Sequence, residues 1–318
     1  MKGMVFLDAL GGVTSLLVVV ALGFALARMG WFSASSRKLI PALVTNVSLP
    51  PFLFSIIVGS MSRDRLFEML YGISLPALTM ALMFGLAWIV GKMLHVDKRH
   101  FGLFCACISN PNTIFIGIPV NMALFGPESL PYVLLYYFAS TCFFWTVGNY
   151  AVSRDWHGNE GGPVASPGIW HRIQKIVSPP MMGFLAGLFF VLSGWSLPHF
   201  IDDAARTVGN LTTPLALLFI GITLEKMDWS HFRLTRDMIV ALIGRLVVNP
   251  LAVWLLLPLF SLPPLMGKVF IMQSSLPVIM QIAILSAYYN TDPEFGSVMV
   301  SLSTICCAIT IPVYMTLL

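Results

Sequence analysis

Cys107-Ile-Ser-Asn110-Pro111-Asn112-Thr113-Ile-Phe-Ile-Gly117-Ile-Pro119 is an apolar stretch broken at its centre by two asparagines, a threonine and a proline. A second break, Met272-Gln273-Ser274-Ser275-Leu-Pro277-Val278-Ile-Met-Gln281, sits in similar surroundings far along the chain. Proline removes a backbone donor from a helix and strains the preceding turn. In hydrocarbon, the groups it frees need protein neighbours or a water-lined cavity. Composition identifies hydrocarbon as the surroundings. Hydrophobic residues are 57% of the 318, charged residues 10%, and the mean hydropathy is +0.85, whereas a soluble domain carries about 25% charge. Stretches of about 20 apolar residues, enough to cross a bilayer, recur along nearly the whole chain.

Ten spans are expected, near residues 5–28, 38–60, 69–93, 101–125, 130–153, 177–195, 203–225, 235–260, 265–289 and 295–317. The long polar joint at 154–176 divides the chain into halves 1–153 and 177–318. The halves repeat. Gly30-Trp31 recurs as Gly194-Trp195, and Asn46-Val-Ser48-Leu-Pro50 as Asn210-Leu-Thr212-Thr-Pro214, both at an offset of 164. Pro111 recurs as Pro277, and Pro127-Glu128 as Pro293-Glu294, both at 166. Each half holds an odd number of spans, so the second must cross the membrane inverted. The fold class expected is therefore an all-α integral membrane protein: ten helices in two inverted five-helix repeats, a recurring plan of secondary transporters.

Twelve Lys and Arg gather on one side (Arg28, Arg37, Lys38, Lys92, Lys98, Arg99, Arg154, Arg172, Lys175, Lys226, Arg233, Arg236) against five on the other (Lys2, Arg63, Arg65, Arg206, Lys268). The positive-inside rule then makes the joint cytoplasmic and both termini extracytoplasmic, in a cell membrane. Lys2, the apolar run after it and Ala25-Leu26-Ala27 resemble a signal peptide. The repeat uses this segment as a structural element, and it is read as a span.

Several functions find no support. No basic, aromatic-interleaved patch of the nucleic-acid type occurs. The five cysteines lie in apolar segments and the six histidines in or beside polar connections, so no metal or cofactor is expected. The spans hold no paired carboxylates, Ser–Lys or Ser–His pair for intramembrane catalysis. The Asn-x-Ser/Thr motifs at Asn46 and Asn210 fall in spans, which argues against glycosylation. A receptor remains an alternative, although no soluble domain is appended.

A half-helix starting after each break would aim unpaired N–H groups and a positive dipole end into the gap. Asn110, Pro111, Asn112 and Thr113, with Ser274, Ser275, Pro277, Val278 and Gln281, are the candidate substrate-binding residues. Neutral donors of this kind hold a carboxylate without trapping it. Arg245, the basic residue inside a span, together with Gln273, Asn46 and Asn210, are candidates for ion binding or gating. Snorkelling to the cytoplasmic edge is the alternative reading of Arg245. Tyr136, Tyr137, Trp145 and Tyr288 read as packing or interface residues.

These residues resemble a known family. Asn110-Pro111-Asn112-Thr113 is similar to the crossover motif of the auxin efflux carriers, and Arg245-Leu-Val-Val-Asn-Pro250 to their eighth helix. Gln273-Ser-Ser-Leu-Pro277 with Ala287-Tyr-Tyr-Asn290-Thr-Asp-Pro293 resembles their ninth crossover and its exit loop, and Leu49-Pro50-Pro51-Phe52-Leu-Phe-Ser55 their second helix. The resemblance implies the fold of the bile-acid sodium symporters, with broken helices four and nine crossed. It further implies a scaffold of helices 1, 2, 6 and 7 that pairs as a homodimer, a transport domain of helices 3–5 and 8–10, and elevator movement. The substrate it implies is a small organic anion such as malonate, malate or an auxin-like acid, held by Asn112 and the backbone around Pro111 and Pro277. Besides that anion the partners are membrane lipid, and the coupling ion is Na+ or H+. A sodium symporter of a larger amphipathic anion is the alternative. The third span lacks an interior acidic residue and Val278 stands where relatives place a polar one, so substrate and coupling ion stay open.

Overall fold

The computed structural model describes residues 2–60, 63, 70–155, 179–195, 197–225 and 234–318. Most of the expected 154–176 linker therefore lies outside the described residues, as do Arg65, Arg172, Lys175, Lys226 and Arg233 of the charge asymmetry.

Helices α1 (Lys2–Arg28), α2 (Ala34–Leu43) and α3 (Leu49–Ser60) come first, with a π-helical turn at Val44–Ser48 joining α2 to α3. Next are α4 (Ser74–Met93), α5 (Phe101–Ser109), α6 (Gly117–Phe125) and α7 (Leu130–Phe143). A second π turn, Phe144–Gly148, leads into α8 (Asn149–Val152). The later elements are α9 (Pro179–Ser193), α10 (His199–Gly209), α11 (Thr212–Glu225) and α12 (Arg236–Ile243). A third π turn, Gly244–Val248, precedes α13 (Asn249–Leu256), α14 (Pro264–Ser274), α15 (Gln281–Tyr288) and α16 (Pro293–Leu317).

Six continuous helical runs among the described residues are long and apolar enough to cross a membrane: Leu39–Gly59, Tyr71–Met93, Pro127–Val152, His199–Glu225, Arg236–Leu259 and Pro293–Leu317. The protein is thus a multi-pass helical membrane protein. Two other expected spans fall at shorter apolar helical stretches, Leu16–Arg28 and Pro179–Ser193. The remaining two, four and nine, are each split into half-length helices, α5 with α6 and α14 with α15.

Local chemistry sets several boundaries. Ser33 and Asp292 accept the N–H groups of Ser36 and Phe295, and Thr235 that of Met238, which satisfies orphan donors at the starts of α2, α16 and α12. Pro250 cannot donate to Leu246 one turn earlier, and the Tyr314 hydroxyl donates to that carbonyl instead, at 2.6 Å. Gly30 and Gly194 have φ +80 and +69, and Gly126 and Asn290 have +73 and +51. Each pair lies 164 residues apart and turns the chain through the left-handed region that glycine and asparagine tolerate.

The described chain forms two compact units. The first comprises residues 1–71, 114–135 and 176–227. Within it α1 packs along α11, and α9 along α3. Small residues permit this close approach, as is usual for membrane helices. A Cβ on Gly23 of α1 would collide with the Leu218 backbone of α11, and one on Gly221 with Val20. A Cβ on Gly187 of α9 would come within 2.9 Å of Ile57 and 3.1 Å of the Phe54 carbonyl of α3. Gly23, Phe54 and Ile57 plus 164 are Gly187, Leu218 and Gly221. Ser48 and Thr212, also 164 apart, meet through their hydroxyls at 3.0 Å, both buried.

The second unit comprises residues 72–113, 136–175 and 228–318. Its apolar core runs from Met83 and Ala87 of α4 through Leu103–Ile108 of α5 to Ile282 and Leu285 of α15 and Met299 of α16. The two backbone breaks run through this core.

Candidate functional site

The extended segments that follow α5 and α14 pair with each other. Asn112 N–H donates to Pro277 O at 2.8 Å and Ile279 N–H to Asn110 O at 3.2 Å, with Pro111 opposite Val278 in an antiparallel bridge. The prolines themselves offer no donor, so their neighbours carry the pairing. Val278 N–H goes to Ser303 Oγ of α16, 3.0 Å away. Each helix break thus supplies partners for the backbone groups freed in the other, as a low-dielectric interior requires.

Arg245 closes the other side of the same junction. It is fully buried, and its guanidinium donates to Leu276 O at 3.0 Å, Ile108 O at 3.0 Å and Ser274 O. Asn249, one helical turn later, adds a bond to Ile108 O at 2.8 Å. These carbonyls lie at or just past the C-terminal ends of α5 and α14. Each helix end carries roughly half a negative charge, so two of them balance one guanidinium without an external anion. Arg245 therefore does not snorkel; it holds both broken helices by their carbonyl ends.

The candidate side chains divide into three groups. Asn110, Pro111, Asn112, Thr113, Gln273, Ser274, Ser275, Pro277 and Val278 are all buried in the second unit, around the paired segments. Asn110 donates to Ala106 O at 3.2 Å and to Ser109 Oγ at 2.8 Å, and the Ser274 and Ser275 hydroxyls bond back to Ile271 and Met272 carbonyls. The buried Asn110 amide oxygen and both amide atoms of Gln273 have no hydrogen-bond partner among the described residues. Gln281 stands apart at the start of α15. It lines a cavity of about 290 Å³ with Trp145, Asn149, Leu285, Tyr288 and Tyr289. Asn46 and Asn210 belong to the first unit and are exposed there; the buried polar pair of that motif is Ser48 and Thr212.

Some of these partners carried no sequence signal. Tyr289 donates its hydroxyl to Asn149 Oδ1 at 2.9 Å across the Gln281 cavity, and Ser303 holds Val278. Trp145 and Tyr288, read from the sequence as packing, line the cavity as well.

A charged cluster ties together the starts of α5, α12 and α16. His100, just before α5, is buried and stacks on Phe295 with ring centroids 4.2 Å apart. Its Nδ1 lies 2.8 Å from Asp292 Oδ2 and its Nε2 3.2 Å from Asp237 Oδ2. Asp237 also accepts Asp97 N–H, while Asp97 pairs with Arg99 and Arg236 reaches Leu94 O. Burial opposes the imidazolium, but the bonds to Asp292 and Asp237 outweigh it and raise the His100 pKa above its ordinary value. Because the folded pKa is the raised one, this stabilisation is complete below the unfolded value and is lost as pH rises through the folded value. The thermal midpoint of the purified protein should exceed that of His100→Gln most near pH ~6 and least near pH ~9. A constant difference across that range would remove His100 as a charged tie. Nearby, Asp155 accepts the N–H groups of Gly102 and Leu103 at the start of α5. Burial pushes its carboxyl up to about 7, against the pull of those two donors.

A multi-pass helical bundle with two broken, mutually paired helices in a buried polar setting has the construction of a membrane transporter. The chain belongs to the membrane transport protein family, matching it over residues 9–160 and 168–315, and this is the auxin efflux carrier family of the sequence resemblance. It is similar to an uncharacterized transporter of Methanothermobacter thermautotrophicus, 26% identical across 99% of this chain and 100% of that protein. An uncharacterized transporter of Methanocaldococcus jannaschii is 24% identical across 87% of this chain and 88% of its own length.

Proposed function

We propose that the protein is a secondary carrier of a small organic anion, a carboxylate such as malonate, malate or an auxin-like acid. It works by elevator-type alternating access in the cell membrane, with both termini extracytoplasmic. In this reading ten helices form two inverted repeats, helices 1, 2, 6 and 7 make a dimeric scaffold, and crossed helices four and nine carry the substrate site in a transport domain of helices 3–5 and 8–10. The observation that carries the proposal is the reciprocal pairing of Asn110–Asn112 with Pro277–Ile279 in a chain of a transporter family. Support for the inverted repeat comes from contacts that recur at an offset of 164: Gly23 on Leu218 against Gly187 on Phe54, and Ser48 meeting Thr212. In this reading Asn112 and Thr113 supply neutral donors, so a carboxylate is bound without a fixed counter-charge and can be released.

The amide oxygens of Asn110 and Gln273, buried and without a hydrogen-bond partner among the described residues, favour a second reading. There they coordinate sodium, and the protein is a sodium symporter of a larger amphipathic anion. Flux into proteoliposomes distinguishes the two. Saturable uptake of labelled malonate, malate or indole-3-acetate is expected, and imposed sodium or proton gradients identify the coupling ion. No uptake of these acids, with sodium-driven uptake of a bile acid, would favour the second reading.

A further inference from the structure

The second unit carries a lateral cavity of about 430 Å³ where α4 ends, α5 begins and α8 ends. Its chemistry is graded along the membrane normal. Phe84 and Val147 line it within the spans, Trp88 and Tyr150 lie about one turn nearer the surface, and Lys98 and Arg154 line it beyond the span ends. Trp88 and Tyr150 are 45% and 42% exposed, so the cavity opens past aromatic rings of the kind that sit at lipid headgroup level. Both rings are paired with cations. Lys92 Nζ stands 3.7 Å from the Trp88 ring centroid, and Arg154 lies over the Tyr150 ring while donating to its hydroxyl at 2.8 Å. The acid in the lining, Asp155, directs its oxygens to the backbone N–H groups of Gly102 and Leu103. It leaves the cations at the mouth facing outward.

We propose that this groove is a binding site for an anionic phospholipid, its acyl chain between α4 and the end of the fifth span and its phosphate on Lys98 and Arg154. Charge complementarity selects the occupant: a zwitterionic lipid fills the apolar part equally well but brings a cation to a mouth that already has two. Basic pockets between membrane helices at the cytoplasmic surface bind acidic headgroups in this way, and the Lys and Arg asymmetry of the sequence assigns this end of the bundle to the cytoplasm. The site is independent of the transported substrate.

The test is native mass spectrometry of the full-length protein equilibrated in mixed micelles containing equal phosphatidylglycerol and phosphatidylcholine. Two surface cations at the mouth predict a roughly thirtyfold preference for phosphatidylglycerol in the retained lipid. The exposed double variant Lys98→Gln/Arg154→Gln should retain phosphatidylcholine as the wild type does and lose the preference. A control pair from elsewhere on the chain, Arg28→Gln/Lys268→Gln, should leave it intact. Equal retention of the two lipids by the wild type, or a preference that survives in the double variant, or equal loss in the control, would each overturn the assignment.

Discussion

Arg245→Met is expected to give a protein that inserts poorly, runs as a broad or aggregated species in detergent, and melts about 10 °C below the wild type. Methionine fills much of the same space but donates nothing. The carbonyls of Ser274 and Leu276 lose the guanidinium donor, and Ile108 O keeps Asn249. Each buried acceptor left without a partner costs about 1–3 kcal/mol. The positive charge that two helix C-termini share is lost as well. Removing one side of a buried ionic arrangement costs about 3–5 kcal/mol in total, a large fraction of the roughly 5–15 kcal/mol that holds a protein folded. Arg245→Lys keeps the charge but lacks the planar fork that reaches acceptors from two separate helices, and its melting point should fall between the other two. The check is size-exclusion profile and thermal midpoint in detergent. An Arg245→Met protein that is monodisperse and melts like the wild type would show that the carbonyl ends do not depend on this guanidinium.

Asn112→Ala is expected to lower carboxylate flux about ten- to a hundredfold while the protein still folds and inserts. A hydrogen bond to a charged partner is worth about 1.5–3 kcal/mol, which sets that range. Alanine keeps the Asn112 backbone N–H that donates to Pro277 O, so the pairing of the two breaks is retained. Asn110→Ala is the contrasting case. Its side chain supports the end of α5 through Ala106 O and Ser109 Oγ, so stability should fall together with flux. Liposome uptake of labelled malonate beside thermal unfolding separates the two. Undiminished flux in Asn112→Ala would exclude that amide from the site.

The break residues were readable because a proline beside asparagines inside an apolar run is a local contradiction. A helix in lipid cannot tolerate freed backbone groups without a reason, and that logic needs no neighbours. The histidines show the limit. His100 reads as one of six in polar connections, but its carboxylate partners are 137 and 192 residues away, at the starts of two other helices. The repeated Asn-x-Ser/Thr motif was visible and its important atoms were not. Asn46 and Asn210 are exposed, and the hydroxyls two residues further on make the buried contact, because helical phase decides which residue of a motif faces its counterpart.

By itself the sequence determined that the chain lives in a membrane, that apolar stretches are broken at Pro111 and Pro277, and that several short motifs recur at offsets of 164 to 166. Composition, span length and proline chemistry act on neighbouring residues and need no tertiary contact. Only the tertiary structure decided that each break supplies the other's missing hydrogen bonds, and that Arg245 turns inward to carbonyls 29, 31 and 137 residues away. A buried charge takes whichever acceptors the packed helices bring within about 3 Å, and sequence spacing does not encode that distance.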